Sequence, residues 1–130
     1  MKVFTVTEIA KGLSGYQQLI EWWMKRGLLT PSIRKSPAQG SPHLFSEDDI
    51  VYVVLLKMLL SLGVKYRDIN EPYLRGTLTR NTSYRVVRWK CECRFSSLHV
   101  VSAARYLFGI DPYEERESNI AGLPTTWVQL

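Results

Sequence analysis

The chain has 130 residues, of which 45% are hydrophobic and 12% aromatic, enough for one buried-core domain, alone or with a small appendage. This composition excludes a wholly disordered chain, and the net charge of +5 suits an anionic partner. The charge is uneven, because residues 1–45 contain six basic and two acidic side chains, a net charge of +4. We therefore expect a surface that faces phosphate in this part of the chain.

Secretion and membrane insertion are not expected. The first apolar residues are interrupted by two threonines and a glutamate, which argues against a signal peptide. The apolar run over residues 50–58 contains a lysine and is too short to cross a bilayer. Cys91 and Cys93 are too close together for an ordinary structural disulfide. The sequence therefore predicts a reduced, cytoplasmic protein.

A first short helix is predicted near residue 8. Ile9, Ala10 and Leu13 have the spacing of an apolar helix face. Thr5 or Thr7 is expected to cap its N-terminus, because a threonine hydroxyl can accept a hydrogen bond from an unpaired backbone N–H.

A second short helix is predicted after a break at residues 14–15, where Ser14 is also a possible cap. Gly27 is expected to end it, after two basic residues that suit the negative end of the helix dipole. Its expected apolar face consists of Leu19, Ile20, Trp23 and Met24. Two short helices joined by a tight turn, the second polar on its outer face, are the pattern of a helix-turn-helix.

A series of short motifs extends this pattern toward residue 63. They are, in order, EIAK at 8–11, WW at 22–23, GLL at 27–29, FSEDDI at 45–50 and LG at 62–63. Over residues 5–70 this order resembles the winged helix-turn-helix domain of the mercury-resistance regulator (MerR) family. The resemblance implies that the second helix is a recognition helix, that residues 30–44 form a wing, and that a long helix follows.

The resemblance and the motif positions together indicate which side chains contact DNA. The first turns of a recognition helix reach base edges, where glutamine can pair with adenine and tyrosine can reach a phosphate or a thymine methyl group. The wing is expected to bring two basic residues and a histidine to the minor groove or the backbone. The residues expected to bind DNA are Thr7, Ser14, Tyr16, Gln17, Gln18, Lys25, Arg34, Lys35 and His43.

Some positions depart from the family pattern. Gln18 and Glu21 stand where arginines are usual, and Trp22 and Trp23 stand where tyrosines are usual. Glu21 is unfavourable near phosphate, because like charges repel in a dry interface. The two tryptophans are expected to pack in the core or in an interface, since burial of such large rings is the larger energy term. The alternative for the polar residues is a solvated helix surface without DNA contact.

A long buried helix is predicted to follow the wing. Ser46 is its expected N-cap, with Asp49 three residues further on, and the helix is expected to run to about Leu62. It is apolar nearly all round, so it should be buried on more than one side. Residues 64–69 are expected to begin a fourth helix that Pro72 interrupts, so the long dimerising coiled coil of the MerR family does not follow.

The remaining residues are predicted to contain one strand and one helix. Residues 81–83 are expected to form a turn, and the strict alternation over 87–95 predicts a half-buried strand with a mostly basic outer face. Residues 98–108 suit a helix better than a strand. Residues 111–118 are expected to form a charged loop, and 120–130 a tail that folds back or binds a partner.

No metal site, cofactor or catalytic site is predicted. Cys91 and Cys93 point to one face of the expected strand, where burial in the core is the preferred interpretation. Two thiols are too few for a metal site, and the only histidines are His43 and His99. The sequence has no phosphate-binding glycine motif and no Ser/His/Asp spacing.

The sequence thus predicts a mainly α fold with a small β component. Residues 1–75 would form a MerR-like winged helix-turn-helix, and residues 76–130 an α/β segment for self-association or partner binding. The predicted function is sequence-specific binding of duplex DNA as a homo-oligomer, with transcription regulation implied by the MerR resemblance. The alternatives are an excisionase-like protein that bends DNA, a protein-interaction module with a degenerate helix-turn-helix, and a metal or redox sensor.

Overall fold

The structure is a computed structural model that describes residues 2–33, 43–80, 82–88 and 90–110, and the backbone of 126–129. These residues form a mainly helical fold with one small sheet, which confirms the predicted fold class. The helices are α1 (Val6–Gly12), α2 (Gln17–Lys25), α3 (Glu47–Ser61), a 3₁₀ helix (Tyr66–Asp68), α4 (Glu71–Thr77) and α5 (Ser97–Phe108). The strands are β1 (Thr82–Arg88), β2 (Cys91–Ser96) and β3 (Thr126–Gln129).

Helix α1 begins at the predicted cap and packs closely at its end. The Thr5 hydroxyl accepts a hydrogen bond from the Glu8 backbone N–H, and the Glu8 carboxylate accepts one from the Thr5 N–H. Gly12 lies against the Phe108 ring, since a Cβ atom at this position would lie 2.2 Å from the ring. The absence of a side chain at Gly12 therefore lets α1 approach the end of α5.

Helix α2 has the predicted apolar face. Ile20 and Trp23 are buried, and Leu19 and Met24 pack partly buried against the core. Ser14 does not cap this helix, because it lies in the turn with a φ of 54° and Tyr16 is the N-cap residue. The turn needs both residues between the helices, so the helix starts two positions later than a cap at Ser14 would place it.

Helix α3 passes through the centre of the core. The Ser46 hydroxyl accepts from the Asp49 N–H, as predicted, and the helix runs to Ser61. Residues 49–56 are all buried, so every side of the helix is covered over about two turns, which explains its apolar sequence there. Two backbone hydrogen bonds of 2.9 Å join Phe4 and Phe45, so the chain before α1 is attached beside the start of α3.

The prediction for the fourth helix is wrong. Residues 64–69 contain only the 3₁₀ turn, and α4 begins at Glu71 with Asn70 as its N-cap. The Asn70 side chain accepts a hydrogen bond from the Tyr73 N–H at 3.1 Å. Pro72 lies in the first turn of α4, where a missing N–H costs no hydrogen bond, so it helps to begin the helix instead of interrupting it.

The single strand predicted over residues 87–95 is also wrong, because a hairpin forms there. Strands β1 and β2 are antiparallel, with Val86 opposite Cys93. The turn between them shifts the alternation, so Val87, expected inside, is 37% exposed, whereas Tyr84 and Val86 are buried. Residues 82 and 83, predicted to lie in a turn, belong to β1.

The predicted burial is wrong for Cys91 and is met only in part by Cys93, which packs against the core. Cys91 is exposed and Cys93 is half-buried, and both are free thiols. The reason is the strand order β2-β1-β3, which leaves β2 at an edge of the sheet. No group of three His, Cys, Asp or Glu residues in the described part of the chain is placed to hold a metal ion.

Helix α5 confirms the prediction for residues 98–108. Ser96 is its N-cap, and Gly109 ends it with a φ of 64°, a conformation that favours glycine. Its apolar side, which includes Val100 and Ala104, packs on α3. The backbone of β3 pairs in parallel with β1, so the tail folds back at residues 126–129. The rest of the predicted charged loop and tail, residues 111–125 and 130, lies outside the described residues.

One hydrophobic core joins these elements, with buried side chains from Phe4 to Ile110. The predicted boundary between two parts near residue 75 stays a prediction. None of the described helices is long and apolar enough to span a membrane.

Candidate nucleic-acid interface

The outer face of α2 presents a continuous stripe of polar and aromatic side chains. Gln18, Glu21, Trp22 and Lys25 are all exposed, and their spacing of i, i+3, i+4 and i+7 places them along one side of the helix. The opposite side is fixed in the core by buried residues. A rigid helix therefore holds hydrogen-bonding groups toward solvent, which is the arrangement that a recognition helix requires.

An open groove of about 700 Å³ runs along this stripe. His43, which is half-buried and lies where the chain returns from the loop, contributes to its wall. The groove is lined by Gln18, Glu21, Trp22, Met24, Lys25 and His43. An amide, a carboxylate, an indole and an ammonium group thus face one volume, so donors, acceptors and an aromatic surface are available to one partner.

The turn between the two helices is held by a side-chain contact across it. The Gln17 amide donates a hydrogen bond of 2.8 Å from Nε2 to Oγ1 of Thr7. This bond orients the start of α2 relative to α1 and leaves the other amide atoms of Gln17 for a further partner. Tyr16, immediately before the helix, is 79% exposed.

The predicted DNA-binding residues fall into two groups. Six lie on or next to the α1–α2 unit and are exposed: Thr7, Ser14, Tyr16, Gln17, Gln18 and Lys25. His43 joins them at the groove, whereas Arg34 and Lys35 lie outside the described residues. The structure therefore brings seven of the nine predicted residues into one region of the surface.

The two adjacent tryptophans have different environments. Trp23 is 1% exposed, as predicted for a core residue, whereas Trp22 is 37% exposed, so for Trp22 the core alternative is wrong and packing in an interface stays a prediction. Helical spacing explains the difference, because Trp22 follows Gln18 by four residues and shares its outward face. Adjacent residues of a helix point about 100° apart, so Trp23 faces the core while Trp22 faces outward.

Trp22 belongs to an aromatic and cationic cluster at the end of α2. Its ring meets that of Tyr66 edge-on, with 5.6 Å between centroids. The Arg26 guanidinium lies 5.3 Å from the Trp22 ring and 5.4 Å from the Tyr66 ring. These contacts hold a positive charge beside the groove, and the long-range contact with Tyr66 was not predictable from sequence.

An ion pair between Arg75 and the buried Asp49 fixes residues 30–32, just after α2. The Oδ2 atom of Asp49 accepts hydrogen bonds from the Ser32 backbone N–H at 2.9 Å and from its hydroxyl at 2.7 Å. The other carboxylate oxygen, Oδ1, accepts from Nη1 of Arg75 at 2.6 Å. Arg75 also donates from Nη2 to the Thr30 carbonyl at 2.9 Å. One carboxylate on α3 and one guanidinium on α4 thus hold the chain just after α2.

Neighbouring groups extend this ion pair into a network. Glu71 accepts hydrogen bonds from the N–H and the hydroxyl of Thr30, each at 2.8 Å, and also pairs with Arg75. The Arg75 guanidinium lies 4.7 Å from the Tyr52 ring centroid. Burial alone would lower the pKa of Arg75, but the hydrogen bonds and charges of Asp49 and Glu71 raise it, so the guanidinium stays protonated. The sequence did not reveal this network, because Asp49 and residues 30–32 are distant along the chain from Glu71 and Arg75.

Comparison with known proteins gives a similarity of limited extent. No protein-family model matches the chain. Over 54 residues it is 37% identical to uncharacterised HTH-type transcriptional regulators, one of Mycobacterium bovis and two of Mycobacterium tuberculosis. The match covers 42% of this chain and 24% of each relative, so the chain spans about a quarter of their length. The names of these relatives state the helix-turn-helix class and do not mention the MerR family.

Proposed function

We propose that this protein binds duplex DNA sequence-specifically and regulates transcription in a MerR-like manner. The observation on which the proposal depends is the exposed stripe on α2, the second helix of a helix-turn-helix. The similarity to curated helix-turn-helix regulators supports the same class. The positive charge of residues 1–45 supports a polyanionic partner.

In this proposal α2 enters the major groove. Gln18 projects from its first turn, where an amide can pair with the N6 and N7 atoms of adenine. Gln17, oriented by Thr7, reaches a neighbouring base edge or a phosphate. Lys25, at the other end of the helix, neutralises a phosphate. Sequence preference therefore comes from the amides, and a large share of the affinity from the cations.

In this proposal Glu21 also takes part in base recognition. Its carboxylate lies in the middle of the stripe, four residues before Lys25, where it meets base edges before it meets phosphates. A carboxylate is the natural acceptor for the N4 amino group of cytosine. We therefore expect a cytosine near the centre of each half-site, with acceptor-rich base pairs disfavoured by repulsion.

The loop before α3 supplies the flanking contacts in this proposal. Arg34 and Lys35 bind the DNA backbone or the minor groove as a wing, and His43, at the wall of the groove, joins them in this role. The ion pair of Asp49 and Arg75 fixes the chain that leads into the loop. The loop therefore starts from a defined position, which limits the entropy lost when it binds DNA.

The proposed DNA-binding unit is a homo-oligomer. Two helix-turn-helix units on adjacent half-sites double the protein–DNA interface, and the segment of residues 76–130 provides the association, since a long coiled coil is not formed by the described residues. In this proposal the protein regulates transcription by occupying its DNA site at a promoter.

Fluorescence anisotropy with labelled duplex DNA tests the proposal. Binding is measured at salt concentrations from about 50 to 200 mM, because the salt slope falls by about one for each phosphate that the protein no longer neutralises. Lys25→Ala should lower the slope by about one, and Arg34→Ala/Lys35→Ala by one to two. The matched control is Lys90→Ala, which removes the same charge from the exposed turn of the hairpin and should leave the slope unchanged.

Two results would contradict the proposal: no binding to any duplex at low salt, or the same slope for all four proteins. Absence of binding to any duplex would favour a second candidate function, that of a protein-interaction module. That candidate is supported by the exposed Trp22 ring, since tryptophan is enriched in protein interfaces, and by the negative charge of Glu21 beside it.

A further inference from the structure

In the described part of the chain β2 and β3 are the two edge strands of the sheet, and β2 is the one whose side chains the structure describes. Strand β1 lies in the centre, paired with β3 on one side and β2 on the other, so β2 has a partner on one edge only. An open edge presents backbone N–H and C=O groups that can pair with a further strand. Cys91, Glu92 and Arg94 along this strand are exposed, so the edge is accessible among the described residues.

The outer face of β2 carries charges of both signs, and Glu92 there is already paired with Arg85 and Arg94 of its own chain. Glu92 and Arg94 are two residues apart, so both side chains lie on the same face of the sheet. In an antiparallel pair of two β2 strands centred on Cys93, Glu92 of each copy lies opposite Arg94 of the other. Centring the pair on Glu92 or Arg94 would place like charges opposite each other, which is destabilising. Among these three registers the charge pattern therefore favours the one centred on Cys93.

The inner face of β2 adds an apolar surface beside the edge. An open groove of about 290 Å³ lies between β2 and the end of α3. It is lined by Lys57, Met58, Ser61, Leu62, Cys93 and Phe95. In the register centred on Cys93, Cys91 of a second copy lies opposite Phe95, at the rim of this groove. The second strand would thus cover apolar surface as well as satisfy backbone groups.

We infer that β2 is a self-association surface, on which a second copy of this chain pairs its own β2 antiparallel, centred on Cys93, to form one continuous six-stranded sheet. The inference does not depend on DNA binding, and it names the surface through which the C-terminal segment associates. The two-fold axis passes between the paired Cys93 residues, so the helix-turn-helix units of the two copies are related by that axis.

The sulfur atoms provide a direct test of the register. Paired residues in an antiparallel ladder have Cα atoms about 4.5 to 5.5 Å apart, a distance that a disulfide can span. Diamide, which takes two electrons and two protons from two thiols, should therefore link the Cys93 residues of two copies. The full chain is treated as wild type, Cys91→Ser and Cys93→Ser, and the covalent dimer is measured on a non-reducing gel. Dimer should form in the first two proteins and be absent from the third.

Charge-reversal variants test the pairing of the two β2 strands independently of disulfide formation. Sedimentation equilibrium is measured for wild type, Glu92→Arg and the double variant Glu92→Arg/Arg94→Glu, with circular dichroism to verify that each is folded. The single variant removes the ion pairs of Glu92 with Arg85 and Arg94 of its own chain and places like charges opposite each other across the axis, so it should weaken the dimer about tenfold. The double variant restores opposite charges and should restore the dimer. A matched control, Lys90→Glu, changes charge outside β2 and should have a much smaller effect.

Three results would overturn the inference. A wild-type chain that stays monomeric at about 100 µM has no such association, since dimer population rises with concentration. Cross-linking that survives in Cys93→Ser but not in Cys91→Ser assigns another register. A double charge variant as weak as the single one shows that Glu92 and Arg94 do not face each other. DNA is absent from every experiment, so failure here is distinct from failure of the proposed function.

Discussion

Replacement of Asp49 by asparagine tests how the interface is held in place. The side chain is fully buried, and one carboxylate oxygen accepts hydrogen bonds from Ser32 and from the Ser46 N–H, while the other accepts from Arg75. An asparagine of the same shape keeps one acceptor oxygen. When that oxygen remains toward the two serines, the new NH₂ group faces the Arg75 guanidinium, donor against donor.

The expected cost follows from the hydrogen bond that the substitution removes. A hydrogen bond to a charged partner contributes about 1.5 to 3 kcal/mol, and Arg75 keeps Glu71 as a second partner. Complete loss of one ion of a buried pair costs about 3 to 5 kcal/mol, which is an upper limit because the Arg75 side chain is 27% exposed. We therefore expect Asp49→Asn to lower the free energy of unfolding by about 2 to 3 kcal/mol.

Urea denaturation, followed by the tryptophan fluorescence of the chain, to which the buried Trp23 contributes, measures this cost. The matched control is Asp48→Asn, which removes the same charge from the same first turn at an exposed position and should cost about 0.5 kcal/mol through the helix dipole. The Asp49 variant should also bind DNA more weakly, since the chain at Ser32 is released. Equal losses of stability in the two variants would refute the reasoning.

Three other predictions concern the core. Gly12→Ala should destabilise the protein by about 1 to 3 kcal/mol, because the new Cβ would meet the Phe108 ring. Gly76→Ala should stabilise it by about 0.5 to 1 kcal/mol, because a Cβ there meets no neighbouring atom within 4 Å. Thermal melts that show the same sign for both variants would contradict this prediction. Tyr52→Phe removes a buried hydrogen bond of 2.6 Å to a backbone carbonyl and should cost about 1 to 2 kcal/mol by urea titration; an unchanged stability would contradict it. Burial raises the pKa of Tyr84 to about 12, so the free energy of unfolding should fall as the pH rises from about 10 to 12. The fall should be smaller in Tyr84→Phe, and identical profiles of stability against pH for the two proteins would contradict this prediction.

Local signals made four of the helices predictable. The capping residues Thr5, Ser46 and Ser96 and the terminating Gly109 act on backbone groups within a few positions, so the sequence alone contains the interaction. The apolar face of α2 was predictable for the same reason, because helical spacing relates residues one turn apart. The polar stripe on its other side follows from that spacing.

Features that depend on context were not predictable in this way. Pro72 interrupts a helix in its middle and favours one in its first turn, so its effect depends on where the helix begins. The alternation of apolar and polar residue types over 87–95 continues through the hairpin turn, so it hides the shift of the buried face that the turn produces. Asp49 resembles an ordinary capping acid, and its pairing with Arg75, 26 residues away, requires the fold.

The central claim is that the outer face of α2 reads DNA sequence. Selection from a random duplex library, followed by sequencing, tests it most directly for wild type and Gln18→Ala. The account predicts that the wild type enriches a defined motif and that the variant binds it without the preference at one base pair, a discrimination of about 1 to 3 kcal/mol. Enrichment of no motif by the wild type, or an identical motif with equal discrimination for both proteins, would contradict the claim.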